Sequence, residues 1–333
     1  MKNLPILLFL LFFSSGALAQ QTDLSSLYRY NWQILNPGAV NHTFLEDKRK
    51  KYIFNSAYRQ QWVGVDGGPV TYNARFEYFP DNNPIKVGGY VLGDRAGAIG
   101  TNSVFGNFAY LIKLNQQDAE SYISVGLNLG AVWYNVDMGE IRFQEEQPNL
   151  MTEGVINQSY ADMALGAFYR WKSLPYRVVP VLGLSEFYAG VSVPQTFTMN
   201  MTAPDEGAFD LERVQHYYLI TGAVFLLTRD ILLEPSTWVR YVPDGAFQTL
   251  FNNAPVSADV NLRVKYNNMF WVGGGFSTNR LIHTEFGADI GRGLCANCGK
   301  NYLLTLALAY DAPVGWNSQL PGSLEISLGL GWE

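Results

Sequence analysis

The strongest signal along the chain is alternation of apolar with polar or small residues at a period of two. Over 323–332, Leu324, Ile326, Leu328, Leu330 and Trp332 fall on one side of an extended strand. Ser323, Glu325, Ser327, Gly329 and Gly331 fall on the other, because successive side chains of a strand point to opposite faces. The split recurs. Ile123, Val125, Leu127, Leu129, Ala131 and Trp133 oppose Ser124, Gly126, Asn128 and Gly130. Val70, Tyr72, Ala74, Phe76 and Tyr78 oppose Thr71, Asn73, Arg75 and Glu77. Val260, Leu262, Val264 and Tyr266 oppose Asn261, Arg263 and Lys265, and Tyr302, Leu304, Leu306, Leu308 and Tyr310 oppose Thr305, Ala307 and Ala309.

In a soluble sandwich the apolar face meets a second sheet. In a membrane barrel it meets lipid, and the polar face lines the interior. Three features favour the barrel. The alternating runs reach about nine to twelve residues, where soluble strands average about five or six. Aromatics close the apolar stripes (Tyr72 and Tyr78, Trp133, Tyr302 and Tyr310, Trp332), as an interfacial girdle requires. Glycines recur on the polar side, where a crowded interior needs small residues.

Such runs fall near 51–62, 69–79, 85–94, 102–114, 120–136, 160–172, 175–188, 213–228, 231–242, 255–267, 269–278, 281–292, 300–311 and 322–332. The expected fold is all-β: a transmembrane antiparallel β-barrel of about 14 strands, with an N-terminal segment outside the wall. Turn chemistry agrees at Asp66-Gly67-Gly68-Pro69, Asp81-Asn82-Asn83-Pro84, Asn267-Asn268 and Thr278-Asn279. Longer connections are expected at 137–158 and 189–212, with Pro148, Pro194 and Pro204. Residues 20–50 do not alternate and carry much of the charge run Glu46-Asp47-Lys48-Arg49-Lys50-Lys51. They read as an N-terminal extension that either plugs the lumen or lies on the periplasmic side. The barrel is expected over 51–333.

The first 19 residues form a separate unit. Met1-Lys2-Asn3, an apolar run from Leu4 to Phe13 and the small stretch Ser14 to Ala19 describe a secretory signal peptide cut before Gln20. The apolar run is too short to span a bilayer, and no later stretch approaches 18 consecutive apolar residues. Export and barrel patterning together place the chain in the outer membrane of a Gram-negative cell, in contact with its lipid.

Composition narrows the function. Charged residues make up 16% of the chain, against about 25% in ordinary soluble domains. The net charge of −6 argues against a nucleic-acid partner, which needs a basic footprint. Cys295-Ala296-Asn297-Cys298 lacks further soft ligands for zinc and reads as a local disulfide in an oxidising compartment. His283, Glu285 and Asp289 share one strand face and are the best hydrolase constellation on offer. The plainer reading is lumen lining. No phosphate-cradling glycine loop, EF-hand loop or Walker sequence is present, so neither a cofactor, a metal nor an enzyme is expected.

The segment Ala57 to Thr71 resembles the signature hairpin of the PorP/SprF family. Tyr58, Arg59, Gln61, Trp62, Gly64, Gly67, Pro69 and Thr71 fit that family's run of Tyr-Arg, Gln-Trp, spaced glycines, Pro and Thr. Upstream, Asn31 to Ala39 is similar to the family's Asn-Pro-Ala element, with Asn36 and Pro37 in place and Gly38 where Ala is usual. Asp94 with Gly97, Tyr110 to Leu114, Glu234-Pro235-Ser236 and Ala309-Tyr310-Asp311 resemble later landmarks. Glu333 departs from the pattern by following the aromatic Trp332.

The resemblance implies an outer-membrane barrel of the type IX secretion system. Such barrels work with other components of that system and recognise the C-terminal sorting domain of a large surface protein, for secretion or cell-surface retention. Some support gliding motility. The ten signature positions are then partner-docking candidates as well as turn formers, since Gly64, Gly67 and Gly68 permit positive φ and Pro69 stiffens the turn. The rival reading is a pore or transporter for small molecules.

Overall fold

The computed structural model describes residues 25–41, 50–80, 83–116, 119–137, 139, 155–173, 183–196, 199–202, 210–213, 215–243, 247–249, 252–291, 302–315, 319 and 321–333. The leader with its cut site and the pair Cys295 and Cys298 lie outside them, as do 42–49 of the charge run.

Two short helical turns come first, a 3₁₀ turn at Tyr28–Tyr30 and α1 at Trp32–Leu35. The strands follow as β1 (Tyr52–Gln60), β2 (Val70–Tyr78), β3 (Ile85–Ala96), β4 (Ile99–Gln116), β5 (Ala119–Asp137), β6 (Val155–Ser173) and β7 (Gly183–Gln195). A small hairpin of β8 (Met199–Thr202) and β9 (Asp210–Arg213) precedes β10 (His216–Leu226) and β11 (Ile231–Tyr241). A second, β12 (Phe247–Thr249) and β13 (Asn252–Ala254), precedes β14 (Val256–Tyr266), β15 (Phe270–Ser277), β16 (Leu281–Gly291), β17 (Tyr302–Pro313) and β18 (Ser323–Trp332). Apart from the two hairpins, fourteen strands close into one antiparallel barrel, each beside its chain neighbour. The seam joins β1 to β18, from Tyr52↔Trp332 to Gln60↔Leu324. Closure gives each of the fourteen strands a partner on both sides, as a bilayer demands because it offers no water to free backbone groups.

The faces fall as the alternation requires. On β2, Thr71, Asn73, Arg75 and Glu77 are buried inside while Tyr72 and Phe76 are exposed outside. Ile123, Val125, Leu129 and Trp133 of β5 and Ile326, Leu328 and Leu330 of β18 also face outward. Nine residues at about 3.4 Å each, tilted about 40°, make a wall about 23 Å high, close to the apolar band of an outer-membrane barrel. Tyr52, Tyr78 and Trp332 stack at its lower end, with ring centroids 4.8 and 5.6 Å from Tyr52. Tyr58, Tyr72 and Tyr310 stand exposed near the other end. The lower end carries the C-terminus and mostly short turns, such as Asn267-Asn268 with both residues at positive φ. The upper end carries the longer loops, which is the extracellular pattern.

Two boundaries differ from the sequence expectation. The strand expected at 175–188 is β7 at Gly183–Gln195, so part of the long connection expected at 189–212 is wall. Ala189, Gly190 and Ser192 blur the hydrophobic contrast without breaking the alternation. Pro194 sits in a β-bulge between the pairs Tyr218↔Ser192 and His216↔Gln195, where a missing donor is tolerated. The connection expected at 137–158 likewise gives way to β6 at Val155. β5 and β6 pair along their whole length, but β6 meets β7 only from Leu165↔Val193 to Lys172↔Glu186. In the described ladders Val155–Asp162 of β6 is therefore paired to β5 alone.

Candidate functional site

Residues 25–41 run through the lumen. A core inside the barrel joins Tyr28, Trp32, Leu35, Ala39 and Val40 to inward side chains including Phe168, Tyr188, Ile220 and Trp238. Trp32 lies 4.7 Å from Tyr188 and 5.3 Å from Phe168 by ring centroids. An aromatic segment can be stable here because the polar inner wall supplies a partner for the backbone groups it buries.

The segment is tied down along its length. At the upper end Ser25 Oγ donates to Glu325 Oε1 and Ser26 N to Glu325 Oε2, both at 2.7 Å. Ser26 Oγ donates to Asp311 Oδ1 at 2.6 Å. Lower down, Arg29 Nη2 donates to Glu234 O at 2.7 Å and Arg29 Nη1 lies 3.2 Å from Glu234 Oε2. Tyr28 shares a 2.5 Å hydrogen bond with Ser236 Oγ, and Tyr30 OH accepts from Arg263 Nη1 at 3.1 Å. Burial pushes both phenols above the usual tyrosine range, against the opposing pull of Arg29 on Tyr28 and Arg263 on Tyr30. Both are neutral hydroxyls at physiological pH. Near the lower end Lys86 Nζ donates to Ala39 O at 2.6 Å.

Asn36, Pro37 and Gly38 fit the tightest part of this path. Asn36 Nδ2 donates to Ala167 O at 3.0 Å and Val191 O at 3.2 Å, carbonyls of two residues opposite each other on β6 and β7. Asn36 Oδ1 accepts from Gly38 N at 2.9 Å, and Pro37 O accepts from Asn107 Nδ2 at 3.1 Å. Gly126 faces the Pro37 carbonyl and Gly166 faces Asn36, with no room at either for a β-carbon. At Gly38 a β-carbon would stand 2.9 Å from Gly166 O and 3.0 Å from Ser124 O. Glycine here lets backbone meet backbone.

The hairpin signature separates into three groups. Tyr58 points out toward the membrane. Arg59 and Thr71 point inward: Arg59 Nη2 lies 2.5 Å from Asp311 Oδ2 and Nη1 3.2 Å from Glu325 Oε2. Thr71 Oγ1 donates to Asp94 Oδ1 at 2.5 Å. Gln61, Trp62, Gly64, Gly67 and Pro69 form the loop between β1 and β2 on the upper rim. Gly64 and Gly67 take positive φ (88° and 73°), and so does Trp62 (52°), which costs a bulky residue about 1–2 kcal/mol. Backbone bonds offset this: Gln61 N to Pro69 O at 2.8 Å, Val63 N to Gly322 O at 2.9 Å and Gly97 N to Gly67 O at 3.2 Å. The loop is thereby fastened to both neighbouring connections, with Val63 and Val65 exposed at its tip. Arg59, Asp311 and Glu325 are joined by Ser25 and Ser26, a link between signature and lumen segment that no local spacing announces.

The hydrolase constellation is dispersed into other partnerships. Glu285 Oε2 pairs with Arg263 Nη2 at 2.9 Å, Asp289 Oδ2 with Lys265 Nζ at 2.9 Å, and His283 bonds Asn261. Among the described residues no cluster has the ligands to hold a metal ion, and no helix is long and apolar enough to cross a membrane.

Residues 17–330 match the family described as Type IX secretion system membrane protein PorP/SprF. No curated protein matches the chain. Among solved structures it is similar to the toluene transporter TodX of Pseudomonas putida (TM-score 0.46, 10% identity, covering 91% of this chain and 93% of that one). It is also similar to the CymD monoaromatic hydrocarbon channel (0.43, 11%, 90% and 91%). A third is the translocator domain of the autotransporter NalP from Neisseria meningitidis (0.39, 12%, 85% and 88%). At such identities the likeness concerns the fold alone.

Proposed function

The chain belongs to the PorP/SprF family of type IX secretion system membrane proteins, and on that premise we propose that it is a docking barrel with a plugged lumen. It is an outer-membrane protein of that system. In the proposed role it binds the C-terminal sorting domain of a large surface protein, for secretion or retention at the cell surface, and in some settings serves gliding. Residues 20–50 act as the plug and 51–333 as the mount.

The observation that carries this reading is the lumen segment. Ser25 to Val40 fill the described interior with a packed, hydrogen-bonded core. A barrel filled in this way has its rim and outer wall left for binding. The loop containing Trp62, Gly64 and Gly67 suits a docking element, since three backbone bonds hold it rigid while Val63 and Val65 stand in solvent. Loops on a rigid scaffold are the usual place for recognition.

Affinity capture of the tagged protein from detergent-solubilised outer membranes tests this. The expected result is co-recovery of secretion components together with the C-terminal part of a surface protein, reduced when Val63 and Val65 are both changed to Asp. Capture of the barrel alone, with steady ion conductance of the purified protein in planar bilayers, would instead establish the pore reading.

A further inference from the structure

Most buried cations of the described lumen stand next to a carboxylate, and Arg75 departs from this. Arg59, Lys86, Arg170, Arg240, Arg263 and Lys265 each have a carboxylate oxygen between 2.5 and 3.3 Å away. Arg75 on β2 has none. It is 2% exposed, and its Nε and Nη2 have no hydrogen-bond partner. The nearest carboxylate on its own strand face, Glu77, is held by Lys86 Nζ at 3.3 Å. An arginine cannot shed its charge by losing a proton. A buried guanidinium without a counter-charge is strongly unfavourable.

A second, independent set of unmatched groups lies beside it. Asn55 is directly opposite Arg75 on β1 and Tyr90 directly opposite on β3. Asn73 precedes Arg75 on the same face. The amide oxygens of Asn55 and Asn73 have no partner. From the lumen segment comes Gln33, 1% exposed, with both side-chain polar atoms unmatched. Its Nε2 lies against Gly88, the ladder partner of Glu77, two positions along β2 from Arg75. Two different parts of the chain thus bring unsatisfied amides to the stretch of β1, β2 and β3 that holds the unpaired cation.

We propose that Arg75, with the amides of Gln33, Asn55 and Asn73, binds a monatomic inorganic anion, chloride in the native setting. The charge calls for an anion, and side-chain amides can turn their NH₂ groups toward it. All four residues are buried, which favours a small one. Since Gln33 belongs to the lumen segment and Arg75 to the wall, the ion joins the two and strengthens the seating of the segment.

The test is reversible urea unfolding of the detergent-folded full chain, in sodium chloride against sodium gluconate at equal ionic strength. Above the dissociation constant, each tenfold rise in chloride should lower the apparent unfolding constant about tenfold, and bromide should substitute. Arg75→Met should abolish the dependence. Should that variant fail to fold, ³⁵Cl NMR of the unmodified protein supplies the second readout. Broadening of the chloride line that bromide reverses supports the site. Equal stability in chloride and gluconate, a dependence that survives Arg75→Met, or an unbroadened line would each overturn it.

Discussion

Replacing Arg59 by Met separates a structural from a docking role for the most deeply placed residue of the hairpin signature. Arg59 is 3% exposed and bridges Asp311 (2%) and Glu325 (1%), at 2.5 and 3.2 Å. Methionine keeps much of the volume but leaves two buried carboxylates facing each other with only serine donors. Removing one partner of a buried ion pair costs about 3–5 kcal/mol, and that is a third or more of the net stability of many proteins, about 5–15 kcal/mol. At a slope of about 3 kcal/mol per molar urea, the unfolding midpoint should fall by about 1–1.7 M. The triple variant Arg59→Met, Asp311→Asn, Glu325→Gln removes the stranded charges and should recover most of the loss, because a neutral hydrogen bond is worth only about 1 kcal/mol. Tryptophan fluorescence of the folded barrel reports the transition. The reasoning is refuted if Arg59→Met costs less than about 1 kcal/mol, or if the triple variant is as unstable as the single one. Unchanged stability with lost partner capture would make Arg59 a docking residue alone.

Gly126→Val should drive a side chain into the Pro37 carbonyl, at an overpacking cost of about 1–3 kcal/mol, and loosen the lumen segment. Planar-bilayer recordings should then show conductance steps absent from the unmodified protein; a silent, fully stable variant would count against the fit described for Asn36 to Gly38. Tyr28 and Tyr30 have phenols raised by burial, so their contribution is whole below the unfolded value of about 10 and is lost as the pH climbs through the folded values. Urea midpoints at pH 9 and pH 11 should therefore converge in Tyr28→Phe/Tyr30→Phe relative to the parent, and equal alkaline losses in both proteins would contradict the assignment.

The wall was legible in the sequence because its cause is local. A strand in a lipid-embedded barrel has a fixed inside and outside, so the period of two in β2, β5, β14, β17 and β18 is imposed residue by residue. The girdle tyrosines and the turn at Asn267-Asn268 follow from the same local rules. Legibility failed at β7, where small residues and Pro194 hide an alternation that its neighbours enforce through their ladders. For the lumen the sequence left two readings of 20–50 open, a plug or a periplasmic segment.

Only the tertiary structure decided what fills the barrel. Nothing in the composition of 25–41 says that Ser26 reaches Glu325, 299 positions away, or that Asn36 spans carbonyls of β6 and β7. Those partners come together through closure of the barrel, a long-range event that orders every inward face at once. Local alternation could say which side chains turn inward; the closed geometry determined which of them meet the lumen segment, which meet each other, and that Nε and Nη2 of Arg75 are left without a hydrogen-bond partner.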